Sequence, residues 1–178
     1  RLIQERAEDA LRVCEAGLAE VSGTKGLAQF YVSLLQSEGR LEDAVAFMDR
    51  WIPENPDCAP IYNAYSNALE NVGRLGDAMD ACRQGIAVQP FYPELHFNLG
   101  RMLGSVNQLT EALPALDTAA EQFGRQETAF ATKWREESES MAERLRSEIA
   151  TGRGVLSGSR EPASTRDWDL AVFVAVQE

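Results

Sequence analysis

Apolar residues recur at three- and four-residue steps along most of the chain, which is the spacing of amphipathic helices. Ile61, Tyr65, Ala68, Leu69 and Val72 fall on one such face. Ala78, Met79, Cys82, Ile86 and Val88 mark a second helix that starts at about Leu75. Pro90 ends it, because proline cannot continue a helix interior. Between the two stands Gly73, a residue free to take the left-handed conformation that terminates a helix. The pattern predicts a helical hairpin.

That hairpin recurs at a spacing of 34 residues. Leu35, Leu69 and Leu103 fall in step, as do Leu41, Leu75 and Leu109, and Ala10, Ala44, Ala78 and Ala112. Pro56 and Pro90 keep the interval, and so do Gly39 and Gly73, with Asn107 in the third place. Asparagine is the next best residue for a left-handed helix end. Short helices of this kind are marginal alone and gain stability when each hairpin covers its neighbour's apolar face.

In this register the chain resembles the tetratricopeptide repeat family. With Lys25, Ala59 and Pro93 as unit starts, Val32, Ser66 and Gly100 occupy the small site of the first helix. Tyr62 and His96 stand in place of the usual tryptophan, where Ala28 is undersized. Met48, Cys82 and Leu116 replace the second-helix aromatic, and Trp51 departs from the second small site held by Gly85 and Ala119. Pro114 lies inside a second helix and is expected to kink it or shift its start. The resemblance implies an all-α fold, a right-handed superhelical solenoid of α-α hairpins.

The expected organisation is a solenoid over residues 1–150. It comprises a partial repeat at 1–24, full repeats at 25–58, 59–92 and 93–126, and a capping helix at 127–150. Residues 1–21 read as the second helix of an earlier unit, which suggests a trimmed chain. Phe130, Trp134, Met141, Leu145 and Ile149 mark the apolar side of the cap. Residues 151–178 form a linker and a strand-like tail. Thr151 to Thr165 is rich in Gly, Ser, Arg and Pro, and Trp168 to Val176 is an apolar, β-branched run typical of a buried strand. A single strand cannot stand alone. It either opens a following α/β domain or docks on the solenoid of its own or a neighbouring chain.

Stacked hairpins create a concave surface, and the resemblance implies that the first helices line it. The implied contacts are Gln29, Ser33, Gln36 and Ser37 in the first full unit, and Asn63, Asn67, Glu70 and Asn71 in the second. Glu94, Phe97, Arg101 and Ser105 follow in the third, with Arg135 from the cap. Amide side chains donate and accept at once, so this lining suits a peptide main chain, and Phe97 offers an apolar anchor. Some family members grip acidic chaperone tails with two lysines, two asparagines and an arginine. Asn67 and Asn98 fill the asparagine places here, but Asn63, Thr128 and Thr132 stand where the cations belong, which argues against that partner.

Charge sharpens the partner class. The formal net charge is −11, with 44% hydrophobic and 25% charged residues, a globular composition. An acidic surface repels phosphate backbones and anionic lipid, so neither nucleic acid nor membrane is expected, whereas a basic or extended peptide is. No apolar run approaches the roughly 20 residues that span a bilayer. Cys14, Cys58 and Cys82 form no C-x-x-C pair, and His96 is the only histidine, so no metal site, cofactor or disulfide framework is expected. The sparse cysteines fit a reducing, cytoplasmic setting. Cys14 and Cys82 share one core register, and His96 falls at a packing position. Glu136, Glu137, Glu139 and Glu143 read as a solvated helix face, and no catalytic residues are expected.

The leading expectation is a protein-interaction module. The alternative is the non-catalytic arm of a larger enzyme, such as a transferase, whose catalytic domain begins near Trp168. Self-association through solenoid ends or the tail is a further expectation.

Overall fold

The computed structural model describes residues 2–20 and 24–151, and the side chains from Arg6 onwards. The eight described helices are α1 (Leu2–Glu20), α2 (Lys25–Ser37), α3 (Leu41–Trp51), α4 (Ala59–Asn71), α5 (Leu75–Val88), α6 (Pro93–Ser105), α7 (Leu109–Gly124) and α8 (Ala129–Ala150). The strand expected over Trp168–Val176 and the linker before it lie outside the described residues. Packing divides the chain into two compact units, one ending at Ala78 within α5 and the other beginning at Met79.

One device closes three first helices. Gly39, Gly73 and Asn107 take positive φ of 72°, 81° and 62°. The Gly39 N–H donates to the Gln36 carbonyl and the Arg40 N–H to the Leu35 carbonyl. The same pair recurs as Gly73 to Glu70 with Arg74 to Leu69, and as Asn107 to Gly104 with Gln108 to Leu103. This is the Schellman arrangement, which satisfies carbonyls that the helix end would leave open. At the other end, α4 and α6 open with proline in the first turn, where no N–H is needed.

In the first unit, α1 buries Leu11 and Cys14, α2 buries Ala28, Tyr31, Val32 and Leu35, and α3 buries Ala44, Val45, Met48 and Trp51. Trp51, the departure from the small site, is accommodated rather than disruptive. Its ring stacks on Phe47 at 6.4 Å, and Phe47 meets Tyr31 edge-on at 4.9 Å. The chain leaves α3 through a 3-10 turn, Ile52–Glu54, before Pro56. Ion pairing of Lys25 with Asp57 at 2.7 Å joins the start of α2 to the approach of α4.

In the second unit α6 and α7 approach closely because Gly100 has no side chain. A Cβ there would lie 2.7 Å from Leu116 Cγ and 3.1 Å from the Ala112 carbonyl oxygen. Pro114 does not shift the start of α7, which stays at Leu109, and the helix runs on through it. As its sixth residue, Pro114 withholds only one N–H, and its ring is exposed. Its own carbonyl accepts from the Thr118 hydroxyl at 2.8 Å. Thr128 caps α8 by accepting from the Ala131 N–H at 3.0 Å. The buried side of α8 is Ala131, Trp134, Ser138, Ala142 and Leu145. Phe130 and Met141 are half-buried and Ile149 is 48% exposed, so the packed stripe is narrower than the sequence predicts and stops before the helix does. One Arg146 guanidinium nitrogen, Nη2, donates to both carboxylate oxygens of Asp117, at 2.5 and 2.7 Å, tying α8 to α7.

Candidate functional site

The implied contact residues divide between the two units. In the first, Gln29 and Ser33 are half-buried on α2 and Ser37 is exposed, its hydroxyl donating to the Leu34 carbonyl. Gln36 is buried, and its amide nitrogen donates to the Ala64 carbonyl at 3.1 Å. That side chain fastens α2 to α4.

Along α4, Asn63, Asn67, Glu70 and Asn71 follow at four-, three- and one-residue steps and share one side of the helix. Asn63 and Asn67 are only 3% and 7% exposed, Glu70 is half-buried and Asn71 is exposed. All four are engaged in interactions. Beneath them Ser66 donates to the Asn63 carbonyl at 2.9 Å. Two buried amides on one helix side are costly unless bonded, and an amide bonds most completely to groups that both donate and accept, which a peptide backbone does.

In the second unit, Glu94 is half-buried in the first turn of α6. Loss of water pushes its carboxyl above the usual range, and a backbone hydrogen bond partly offsets this. Phe97, expected as an apolar anchor for a ligand, is 2% exposed and meets Trp134 edge-on at 5.4 Å. Phe130 continues the cluster, 6.0 Å from Trp134 and 6.4 Å from Phe123. The Lys133 ammonium lies 5.1 Å from the Trp134 ring centre. Arg101 is half-buried and engaged. Ser105 is exposed, and its hydroxyl donates to the Met102 carbonyl of its own helix at 2.7 Å. Arg135 is half-buried, with Nε 3.8 Å from the Glu139 carboxylate. The structure therefore gathers the α4 amides on one side and places Phe97 within an aromatic cluster that joins α6 to α8.

Two features depart from the sequence-based expectations. The Tyr31 hydroxyl donates to the Glu15 carboxylate at 2.6 Å, and the Tyr65 hydroxyl donates to Asp49 in the same relation. Arg40 with Asp43 and Arg74 with Asp77 complete two matching clusters. Both tyrosines titrate above their ordinary range, first through desolvation and then through these carboxylate bonds. The signal in the sequence is the 34-residue interval of both partners, Tyr31 to Tyr65 and Glu15 to Asp49. His96 is the second. It is half-exposed rather than in the core, with ring Nε2 2.9 Å from the Pro90 carbonyl, an oxygen that also accepts from the Gln122 amide at 2.9 Å.

Among the described residues no three or more His, Cys, Asp or Glu side chains gather as metal ligands. No described helix is long and apolar enough to cross a membrane. Cys14, Cys58 and Cys82 are buried free thiols, and burial pushes Cys14 and Cys58 up.

Paired helices of this length, closed by the same turn at the same interval, define a helical-repeat fold similar to that of tetratricopeptide proteins. The model of the Tetratricopeptide repeat family matches residues 1–68, and solved tetratricopeptide structures share the fold. A T3SS complex from Aeromonas hydrophila superposes with a TM-score of 0.67 at 15% identity, over 76% of this chain and 89% of that one. The Yersinia enterocolitica type III secretion chaperone SycD, in complex with a peptide of the translocator YopD, gives 0.65 at 16%, over 72% and 97%. The TPR2B domain of yeast Sti1, in a complex with pHsp70, gives 0.61 at 16%, over 70% and 97%. The all-α hairpin solenoid is thus the fold of this chain. No curated protein matches its sequence.

Proposed function

We propose that this chain is a protein-interaction module that holds a partner polypeptide in extended form along the amide side of α4. The observation that carries the reading is the side of α4 where Asn63, Asn67, Glu70 and Asn71 lie together. An extended peptide exposes unpaired N–H and C=O groups along its length, and side-chain amides can meet both kinds. The fold agrees with this use, since SycD is crystallised with a peptide of YopD and a comparable structure, PcrH, with the chaperone-binding region of PopD. The partner in this reading is a basic, extended peptide, given the net charge of −11. In this reading the segment acts by binding and performs no chemistry.

The test is selection of peptides from a displayed random library on the full chain, followed by calorimetry. Asn63→Ala/Asn67→Ala should weaken a selected peptide at least about tenfold, the loss of roughly 1.4 kcal/mol that one or two good contacts represent. Circular dichroism should show unchanged helicity. Full affinity in that folded variant would remove α4 from the binding face.

A further inference from the structure

The apolar anchor that the sequence places at Phe97 is not on offer, because that ring is 2% exposed and packed on Trp134. The first unit supplies another. Phe30 on α2 is 44% exposed, and it is the one exposed aromatic among the described residues of that unit. Its neighbour Tyr31 packs edge-on against Phe47, whereas among the described residues Phe30 meets no other ring. A single exposed apolar side chain is ordinary; the setting of this one is not. Gly26 lies four residues before it, and Ser33 and Ser37 three and seven after it, all on its own side of the helix. A Cβ built on Gly26 meets nothing within 4 Å. No long side chain therefore shields the ring along that side of α2. Between Gly26 and Ser37 the helix also carries no Asp, Glu, Lys or Arg.

The ring lies next to the proposed binding side. Helix α2 packs against α4, and the Gln36 amide nitrogen donates to the Ala64 carbonyl at 3.1 Å. Both are first helices of successive hairpins and run the same way. The part of α2 before Gln36 thus runs beside the part of α4 before Ala64, where Asn63 stands. Packed helix axes lie about 8–10 Å apart. An extended peptide advances about 3.3 Å per residue, so about three residues carry it from one helix to the other.

We infer that Phe30 reads an apolar side chain of the partner, so that the ligand class is a basic, extended peptide with one aliphatic or aromatic residue about three positions from the stretch held on α4. This rests on the binding mode proposed above and names what selects among basic peptides. The surroundings decide for an apolar side chain over arginine. A guanidinium stacked on an exposed ring gains little unless a carboxylate pairs with it, and α2 offers none. An apolar side chain needs only the ring and the bare helix beside it. The net charge of −11 draws basic peptides in, and the ring discriminates among them.

The experiment uses the full chain and the peptides selected on it from a random library, measured by calorimetry. The selected sequences should share one apolar position among basic ones. Phe30→Ala should weaken them at least about tenfold, and Phe30→Leu, which keeps an apolar surface, by no more than about threefold. Changing the shared apolar residue of the peptide to Ala should cost about tenfold on the wild type and less than about twofold on Phe30→Ala, the coupling expected of two side chains in contact. Circular dichroism should show both variants as helical as the wild type. Full affinity in Phe30→Ala, or a cycle that couples Phe30 to a Lys or Arg of the peptide, would overturn the inference. If Phe30→Ala keeps full affinity while Asn63→Ala/Asn67→Ala loses it, the proposed function stands without Phe30. If both variants keep it, or if no peptide can be selected, the proposed function fails and the inference with it.

Discussion

Tyr31 and Tyr65 show how single side chains register one helix on the next. Each phenol reaches back to a carboxylate sixteen residues earlier, Glu15 for Tyr31 and Asp49 for Tyr65. A hydrogen bond that links α1 to α2 fixes their relative slide, which apolar contacts alone leave loose. Replacing Tyr31 by Phe keeps the ring against Phe47 and removes only the hydroxyl, so the expected loss is about 1 kcal/mol. For a chain of this size that is a melting shift of roughly 2–4 °C. The pH dependence has a definite sign. The folded state holds the Tyr31 proton above its ordinary value near 10, so the hydroxyl's contribution is complete below pH 10 and is lost as the pH rises above it. Thermal melts of wild type and Tyr31→Phe should differ at pH 8 and converge above pH 10. A constant gap would show that the bond to Glu15 is not what the hydroxyl contributes. Neither this pairing nor the burial of Asn63 and Asn67 was legible from local pattern. Asparagine is exposed by default, and a contact across sixteen residues leaves no helical period to read.

The helices themselves were legible, because their ends are fixed by backbone geometry that few residues satisfy. Gly39, Gly73 and Asn107 are placed by the requirement for positive φ, and the helices that precede them stop accordingly. The close passage of α6 and α7 was marked as well, by a glycine at the small site. Gly100 stands where a Cβ would overlap Leu116 and crowd the Ala112 carbonyl. The leucine can turn, but the carbonyl belongs to a helix backbone and yields little. Gly100→Ala should therefore destabilise by about 1–3 kcal/mol, the usual cost of overpacking, despite alanine's better helix propensity. Denaturant titration with the midpoint and slope compared to wild type measures it; an unchanged or raised midpoint would show that α7 can move aside. Less legible was the far end of α8. Ile149 continues the apolar spacing of Leu145, yet it is 48% exposed, because spacing predicts a face and not where the neighbour ends. His96 failed for a related reason. Its register is that of a packing residue, but a polar ring near the start of α6 finds the Pro90 carbonyl and stays near water.

Charge acts over the whole chain. Asp and Glu number 28 against 17 Lys and Arg, and exposed pairs such as Arg40–Asp43, Arg74–Asp77 and Arg83–Asp80 use cations without cancelling the excess. Such pairs add little stability, so the surplus is felt mainly as a long-range field. A field of this kind selects partners by speeding the encounter of oppositely charged ones, while short-range contacts set how long they stay. The expected partner therefore has a kinetic signature. Take a peptide selected on the full chain, and compare a version with three added lysines to one with three added serines. At 0.1 M salt the lysine version should associate about tenfold faster, with a similar dissociation rate. Raising the salt to 1 M shortens the screening length from about 10 Å to about 3 Å. The two association rates should then converge. Stopped-flow anisotropy follows both rates directly. Equal association at low salt would mean that the surplus carboxylates do not steer ligands to the first-helix faces, and the preference for basic partners would have to be abandoned even if the amide face of α4 proved to bind peptides.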